Sequence, residues 1–156
     1  MEGYWMKIIS QNKKARFNYE ILETYEAGVV LTGSEVKSIR NGHVNINDAF
    51  ARFIRGELYL VNANISEYRF SNLLNHEPTA SRKLLLHKVE IKKLLGKVQE
   101  KSYTLVPLKM YFNARNRIKL EIALGRGKKL HDKRDSIKEK DLNRDSQREL
   151  KNLKQA

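Results

Sequence analysis

Asn12-Lys13-Lys14-Ala15-Arg16 sets three cations within four residues, preceded by an amide, a grouping suited to phosphate and sugar contacts. Taken alone, the run is equally a solvated N-terminal arm. Glu26-Ala27-Gly28 is the contrary case, an acid within a basic chain. A carboxylate accepts from a base amino group or a ribose 2′-hydroxyl, which a lysine does not. Physics alone favours an ordinary surface glutamate beside a bulge. Lys37 and Arg40 are spaced i, i+3 and share one side of a two-turn helix, with Val36 and Ile39 turned inward. Gly127-Lys128-Lys129-Leu130-His131-Asp132-Lys133-Arg134 gathers four cations around an imidazole. That suits stacking and phosphate clamping, or a bland basic linker. Beyond it, Lys133, Ile137, Lys140, Arg144, Arg148 and Lys151 fall on one stripe of a helix for about five turns, with Asp141, Asp145 and Glu149 beside them.

Other chemistry is missing. Without cysteine the chain has no disulfide, Cys-zinc site or thiol nucleophile, which fits a reducing cytosol. His43, His76, His87 and His131 lack zinc spacing, so no metal is expected. There is no phosphate-binding Walker loop and no Gly-x-Ser-x-Gly elbow. Glu20 and Glu23 are paired acids of a kind common on any surface. No catalytic residue and no cofactor is expected. The formal net charge of +13, with a pI near 9.9, gives a positive field whose commonest partner is RNA or DNA. No apolar run is long enough to span a bilayer, and residues 1–6 have no signal-peptide pattern, so a cytoplasmic protein without a membrane partner is expected.

These groups need elements to hold them. Ile118, Leu120, Ile122 and Leu124 alternate with Arg117, Lys119, Glu121 and Ala123, which predicts a strand with one wet face. Val106, Leu108, Met110 and Phe112 predict one face of a neighbouring strand, with residues 113–116 as the hairpin and Pro107 at an edge or bulge. Further strands are expected at 57–65, with Tyr59, Val61, Ala63 and Ile65 on one face, at 50–54, at 19–31 with a bulge at Gly28, and at 82–86. Thr32-Gly33-Ser34-Glu35 has capping-box spacing for a helix stopped by Asn41-Gly42. A second helix is expected over 87–95 with Gly96 past its end. Five or six short strands and two helices predict a mainly β fold, an OB-type antiparallel barrel. Residues 1–126 carry 21 basic and 12 acidic side chains, and residues 127–156 carry 10 and 6 with few large aliphatics. This divides the chain into an N-terminal extension at 1–9, a barrel at 10–126 and a basic tail at 127–156. So polar a tail is expected to be disordered, or helical along nucleic acid.

Residues 10–139 resemble the SmpB family of SsrA-binding proteins. The motifs that carry the resemblance are Asn12-Lys13-Lys14-Ala15-Arg16, Glu26-Ala27-Gly28, Gly33-Ser34-Glu35-Val36-Lys37-Ser38-Ile39-Arg40, Asn45-Ile46-Asn47-Asp48, Asn62-Ala63-Asn64-Ile65, Arg82-Lys83-Leu84-Leu85-Leu86 and the 127–134 cluster, in family order and spacing. The resemblance implies an OB-type barrel that binds transfer-messenger RNA and works on stalled ribosomes. It implies that Asn12, Glu26 and Leu85 grip the tRNA-like domain. Asp132, Lys133 and Arg134 would serve on the ribosome, and His131 would stack near the decoding centre. Lys13, Lys14, Arg16, Lys37, Arg40, Lys128 and Lys129 complete the expected RNA contacts, and Lys140, Arg144 and Arg148 those of the tail. The expected partners are transfer-messenger RNA and the ribosomal RNA of the small subunit, the protein acting as a monomer. A generic OB-fold RNA chaperone is the competing reading, and it would need aromatics exposed on the barrel.

Overall fold

Alternating strands and bulges decide the architecture. The computed structural model describes residues 7–68, 75–101 and 103–128. In chain order the elements are β1 (Lys7–Gln11), α1 (Ala15–Asn18), β2 (Tyr19–Val29), α2 (Gly33–Arg40), β3 (Val44–Asn45), β4 (Phe50–Ile54), β5 (Glu57–Val61), β6 (Asn64–Ile65), β7 (Arg82–Leu85), α3 (Lys88–Lys101), β8 (Thr104–Phe112) and β9 (Ile118–Gly127). Seven strands form one antiparallel sheet in the order β1-β8-β4-β5-β7-β2-β9, and β8 also pairs with β9. That extra pairing closes six strands into a ring, with β1 added outside β8. The expected mainly β, OB-type architecture is therefore present, ring-like rather than a strict barrel. Ile39, Ile46, Leu58, Leu60, Ile65, Leu84, Leu94, Met110, Leu120, Ile122 and Leu124 fill the core.

The predicted strand at 117–124 and the capped helix both form. Thr32 accepts from Glu35 N, and the Glu35 side chain accepts from Thr32 N, so the capping box is complete. Arg55 (φ 53°) and Gly56 (φ 81°) make the two-residue turn between β4 and β5, where a positive φ at each central position matches the strands' twist.

Four expectations change, each for a local reason. Residues 57–65 are two strands. Asn62 at φ 63° breaks them, so Leu58 and Leu60 are buried before the break and Ala63 and Ile65 after it. The face predicted through Tyr59 and Val61 is thus reversed in its first half. In β8 a register shift between Pro107 and Lys109 sends Val106 and Leu108 to a second cluster with Ala15 and Ala123, while Met110 stays in the main core. The bulge in β2 falls between Ile21 and Glu23, and Gly28 is paired on both sides, with Leu85 and Lys119. Helix α3 runs through Gly96 because Leu94 and Val98 still meet the core and Lys97 pairs with Glu23 beyond it. Three elements went unforeseen, one of them the two-residue strand β3, which pairs with β6. Strand β1 shifts register between Ile8 and Ser10, which hides the period-two signal, and α1 is a single turn anchored by buried Ala15.

Candidate nucleic-acid interface

Antiparallel register places residues far apart in sequence in rows across one face. Gln11 of β1 stands opposite Lys109 of β8, Lys109 opposite Glu121 of β9, and Glu121 opposite Glu26 of β2. The next row runs Ile8, Tyr111, Lys119, Gly28 and Leu85 across β1, β8, β9, β2 and β7. Side chains paired in this way share a face of the sheet. The two rows therefore put two acids, cations and an exposed leucine on one surface.

Three clefts open on this surface. The first, of about 290 Å³, is lined by Gln11, Asn12, Lys13, Arg16, Leu108, Lys109 and Glu121. The second, of about 400 Å³, is lined by Glu26, Tyr111, Asn113, Ala114, Arg115, Arg117 and Lys119. The third, of about 360 Å³, joins Gly28, Leu85 and Arg40 to Arg117 and Lys119. Arg115 and Arg117 reach the rim because Asn113 Oδ1 accepts from both of their backbone N–H groups, at 3.0 and 2.9 Å, and fixes the β8–β9 turn.

The polar groups here are held in place. Lys109 lies 3.6 Å from Glu121, and the Tyr111 hydroxyl donates to Glu26 Oε2. Leu85 is 51% exposed. A methyl group on Gly28 would lie 3.5 Å from Leu85 Cβ and 3.8 Å from Lys119 Nζ, so the bare backbone keeps the floor flat between an apolar side chain and a cation. Such a floor has the shape and chemistry to suit a ribose or base face, and the rim cations suit phosphates. On the margin, Asn12 Oδ1 is buried without a hydrogen-bond partner in the protein, beside Lys13 and Arg16.

The expected contacts divide. Asn12, Lys13, Arg16, Glu26, Arg40 and Leu85 all line these clefts. Lys14 lines a separate cleft of about 230 Å³ with Asn18 and Asp48. Lys37 is exposed with its ammonium 5.2 Å from the centre of the Tyr68 ring. Lys128 is half-buried and its N–H donates to the Asn18 carbonyl at 3.0 Å. Lys129, His131, Asp132, Lys133, Arg134, Lys140, Arg144 and Arg148 lie outside the described residues. Sequence reasoning missed Tyr111, Lys109 and Arg115 as parts of a site. Arg117, Lys119 and Glu121 were visible as a wet strand face, but nothing local says which strands flank it. Among the described residues no group of acids and histidines is arranged to hold a metal ion, and no helix is long and apolar enough to cross a membrane.

A ring-like OB-type sheet carrying a basic, flat-floored face, with the acids Glu26 and Glu121 in register among its cations, defines an RNA-binding protein. Comparison with known proteins takes this further. The family described as "SmpB protein" matches residues 9–152. The chain is 55% identical over 146 residues to an SsrA-binding protein of Afipia carboxidovorans, covering 94% of this chain and 93% of that protein. It is 57% identical over 147 residues to an SsrA-binding protein of a Nostoc species, covering 94% of each. It is also similar to a solved structure described as "tmRNA-SmpB: a journey to the center of the bacterial ribosome", with a TM-score of 0.64 and 52% identity over 81% of this chain and 92% of that one. The chain belongs to the SmpB family.

Proposed function

We propose that the protein binds the tRNA-like domain of transfer-messenger RNA through the face bearing Glu26, Leu85, Arg40, Arg117 and Lys119, and helps to place that RNA in stalled ribosomes for trans-translation. It works in the cytoplasm by positioning and catalyses nothing. The similarity to SsrA-binding proteins over nearly the whole chain supports the choice of RNA. The observation that carries the interface is the register that sets exposed Glu26 and Leu85 into one basic surface. In a purely electrostatic site an acid weakens binding. A carboxylate that accepts from a 2′-hydroxyl or a base amino group strengthens it and selects among RNAs.

The sign of one substitution tests this. Glu26→Ala makes the surface more positive, so phosphate attraction alone predicts tighter binding. The proposal predicts weaker binding to the tRNA-like domain, by about tenfold or more, the loss of a hydrogen bond to a charged group. Circular dichroism on the same sample confirms the fold. Unchanged or tighter binding removes Glu26 from the interface. The competing chaperone reading finds less support, since every described aromatic is buried or half-buried, Tyr111 and Phe112 being 2% and 8% exposed. A stacking platform for single strands needs open rings.

A further inference from the structure

Glu26 is held from across a strand. It lies on β2 and Tyr111 on β8, with β9 between them. The Tyr111 hydroxyl spans that gap and donates to Glu26 Oε2. The tyrosine makes a stiff support. The residue is 2% exposed, stands in register with Lys119 and Ile8, and has the Lys109 ammonium 5.8 Å from its ring centre. Its hydroxyl therefore has a fixed position, whereas an exposed glutamate otherwise samples many rotamers. Ordering such a side chain on binding opposes association, and ordering it beforehand removes that opposition. The hydroxyl engages Oε2, and Oε1 keeps its lone pairs for a donor on RNA.

We propose that Tyr111 is a positioning residue, whose hydroxyl holds the Glu26 carboxylate in the orientation that accepts from RNA. This rests on Glu26 contacting RNA, as proposed above, and adds the group that sets its geometry. With its ring buried, Tyr111 acts through Glu26 and not by stacking on a base. The consequence is selectivity, because a held carboxylate rewards a hydroxyl or amino group at one place, whereas the rim cations reward phosphates anywhere along a backbone.

The test uses Tyr111→Phe, which keeps the ring and removes only the hydroxyl. Affinity of the full chain is measured for the isolated tRNA-like domain and for an unrelated RNA duplex. Wild type, Tyr111→Phe, Glu26→Ala and the double variant are compared below the melting temperature of all four. Tyr111→Phe is expected to bind the tRNA-like domain about three- to tenfold more weakly. It should bind the duplex as wild type does, and add nothing to Glu26→Ala. A Tyr111→Phe loss of equal size with or without Glu26, or one shared by the duplex, shows a hydroxyl acting elsewhere and overturns the positioning role. So does a silent Tyr111→Phe in a protein that Glu26→Ala still weakens, and in both cases the proposed RNA face stands. A Glu26→Ala protein that binds the tRNA-like domain as tightly as wild type overturns the face and the positioning role together.

Discussion

Arg82 commits all five of its donors inside the protein. Nε donates to Glu35, Nη1 to the carbonyls of Ala63 and Ala80 at 2.9 and 3.0 Å, and Nη2 to those of Glu77 and Pro78 at 3.1 and 3.0 Å. With Arg82 at 3% and Glu35 at 4% exposure, this is a buried ion pair that ties α2 to the chain entering β7. Removing one partner of such a pair leaves the other charged and buried, so Arg82→Met should cost about 3–5 kcal/mol in urea unfolding. Adding Glu35→Met should restore only part, because the carbonyls of Ala63 and Ala80 still lose the guanidinium, while those of Glu77 and Pro78 keep a donor in the backbone N–H of Ala80 and Ile65. Burial alone would raise the Glu35 pKa, but the hydrogen bonds from Thr32 and Arg82 outweigh it and hold the carboxyl below its usual value. Stability from this group is present above the ordinary carboxylate range and is lost as pH falls through the lowered value. Melting temperatures taken down the acid limb should thus fall more steeply for wild type than for Glu35→Gln. The sequence revealed half of this. Thr32-x-x-Glu35 announces a cap, but the same carboxylate meets Arg82 across 47 residues, and nothing local says so. Glu26 was conspicuous as a lone acid, while Leu85 was legible only through the family resemblance. Tyr111 gave no local signal, because its ring is buried and only its hydroxyl reaches the Glu26 carboxylate two strands away.

Elements were legible where alternation is unbroken and lost where a bulge resets it. Strand β9 keeps period two and was read correctly, except that Ala123 on its nominally wet side is covered by Ala15, Val106 and Leu108. Strand β8 carries a bulge, β5 and β6 are split at Asn62, and β1 shifts at Ile8–Ser10. A single inserted residue exchanges the two faces, so a fixed-period reading inverts from there on. The seam between β2 and β9 offers a test of how tightly these elements meet. At Gly125 a methyl group would sit 3.1 Å from Tyr19 Cβ, an atom fixed by its own strand. At Gly28 the nearest atom is 3.5 Å away, an ordinary contact. Gly125→Ala should cost about 1–2 kcal/mol through overpacking. Gly28→Ala should be neutral or slightly stabilising, since alanine also restricts the unfolded chain. Equal effects of the two in thermal melts would mean that β2 and β9 adjust freely at Gly125.

At the scale of the whole molecule, charge and division of labour decide the outcome. The clefts bring Arg40, Arg115, Arg117 and Lys119 together, with Lys13, Arg16 and Lys109 at their margin. Each phosphate they neutralise should add about 0.7–0.9 to the slope of log affinity against log salt. Replacing Arg117 and Lys119 with glutamine should then reduce the slope by about 1.5, while Glu26→Ala should lower affinity without changing it. Residues 1–126 hold nine more cations than acids and residues 127–156 four more, so the two parts repel each other, and each gains from RNA as its own counterion. That argues for two separate engagements, residues 7–128 with transfer-messenger RNA and the basic tail with RNA of the ribosome. Removing residues 131–156, or replacing Asp132, Lys133 and Arg134 with alanine, should leave the melting temperature and the affinity for the isolated tRNA-like domain within about twofold of wild type, consistent with the Glu26 face lying wholly inside residues 7–128. Tagging of nascent chains on stalled ribosomes should nevertheless fail. If truncation weakens binding to the isolated RNA as much as it weakens tagging, the tail belongs to the primary RNA site. If tagging survives truncation, the basic stripe at helical spacing is only a solvated face. The separation of the two assays is what the proposed division of labour requires.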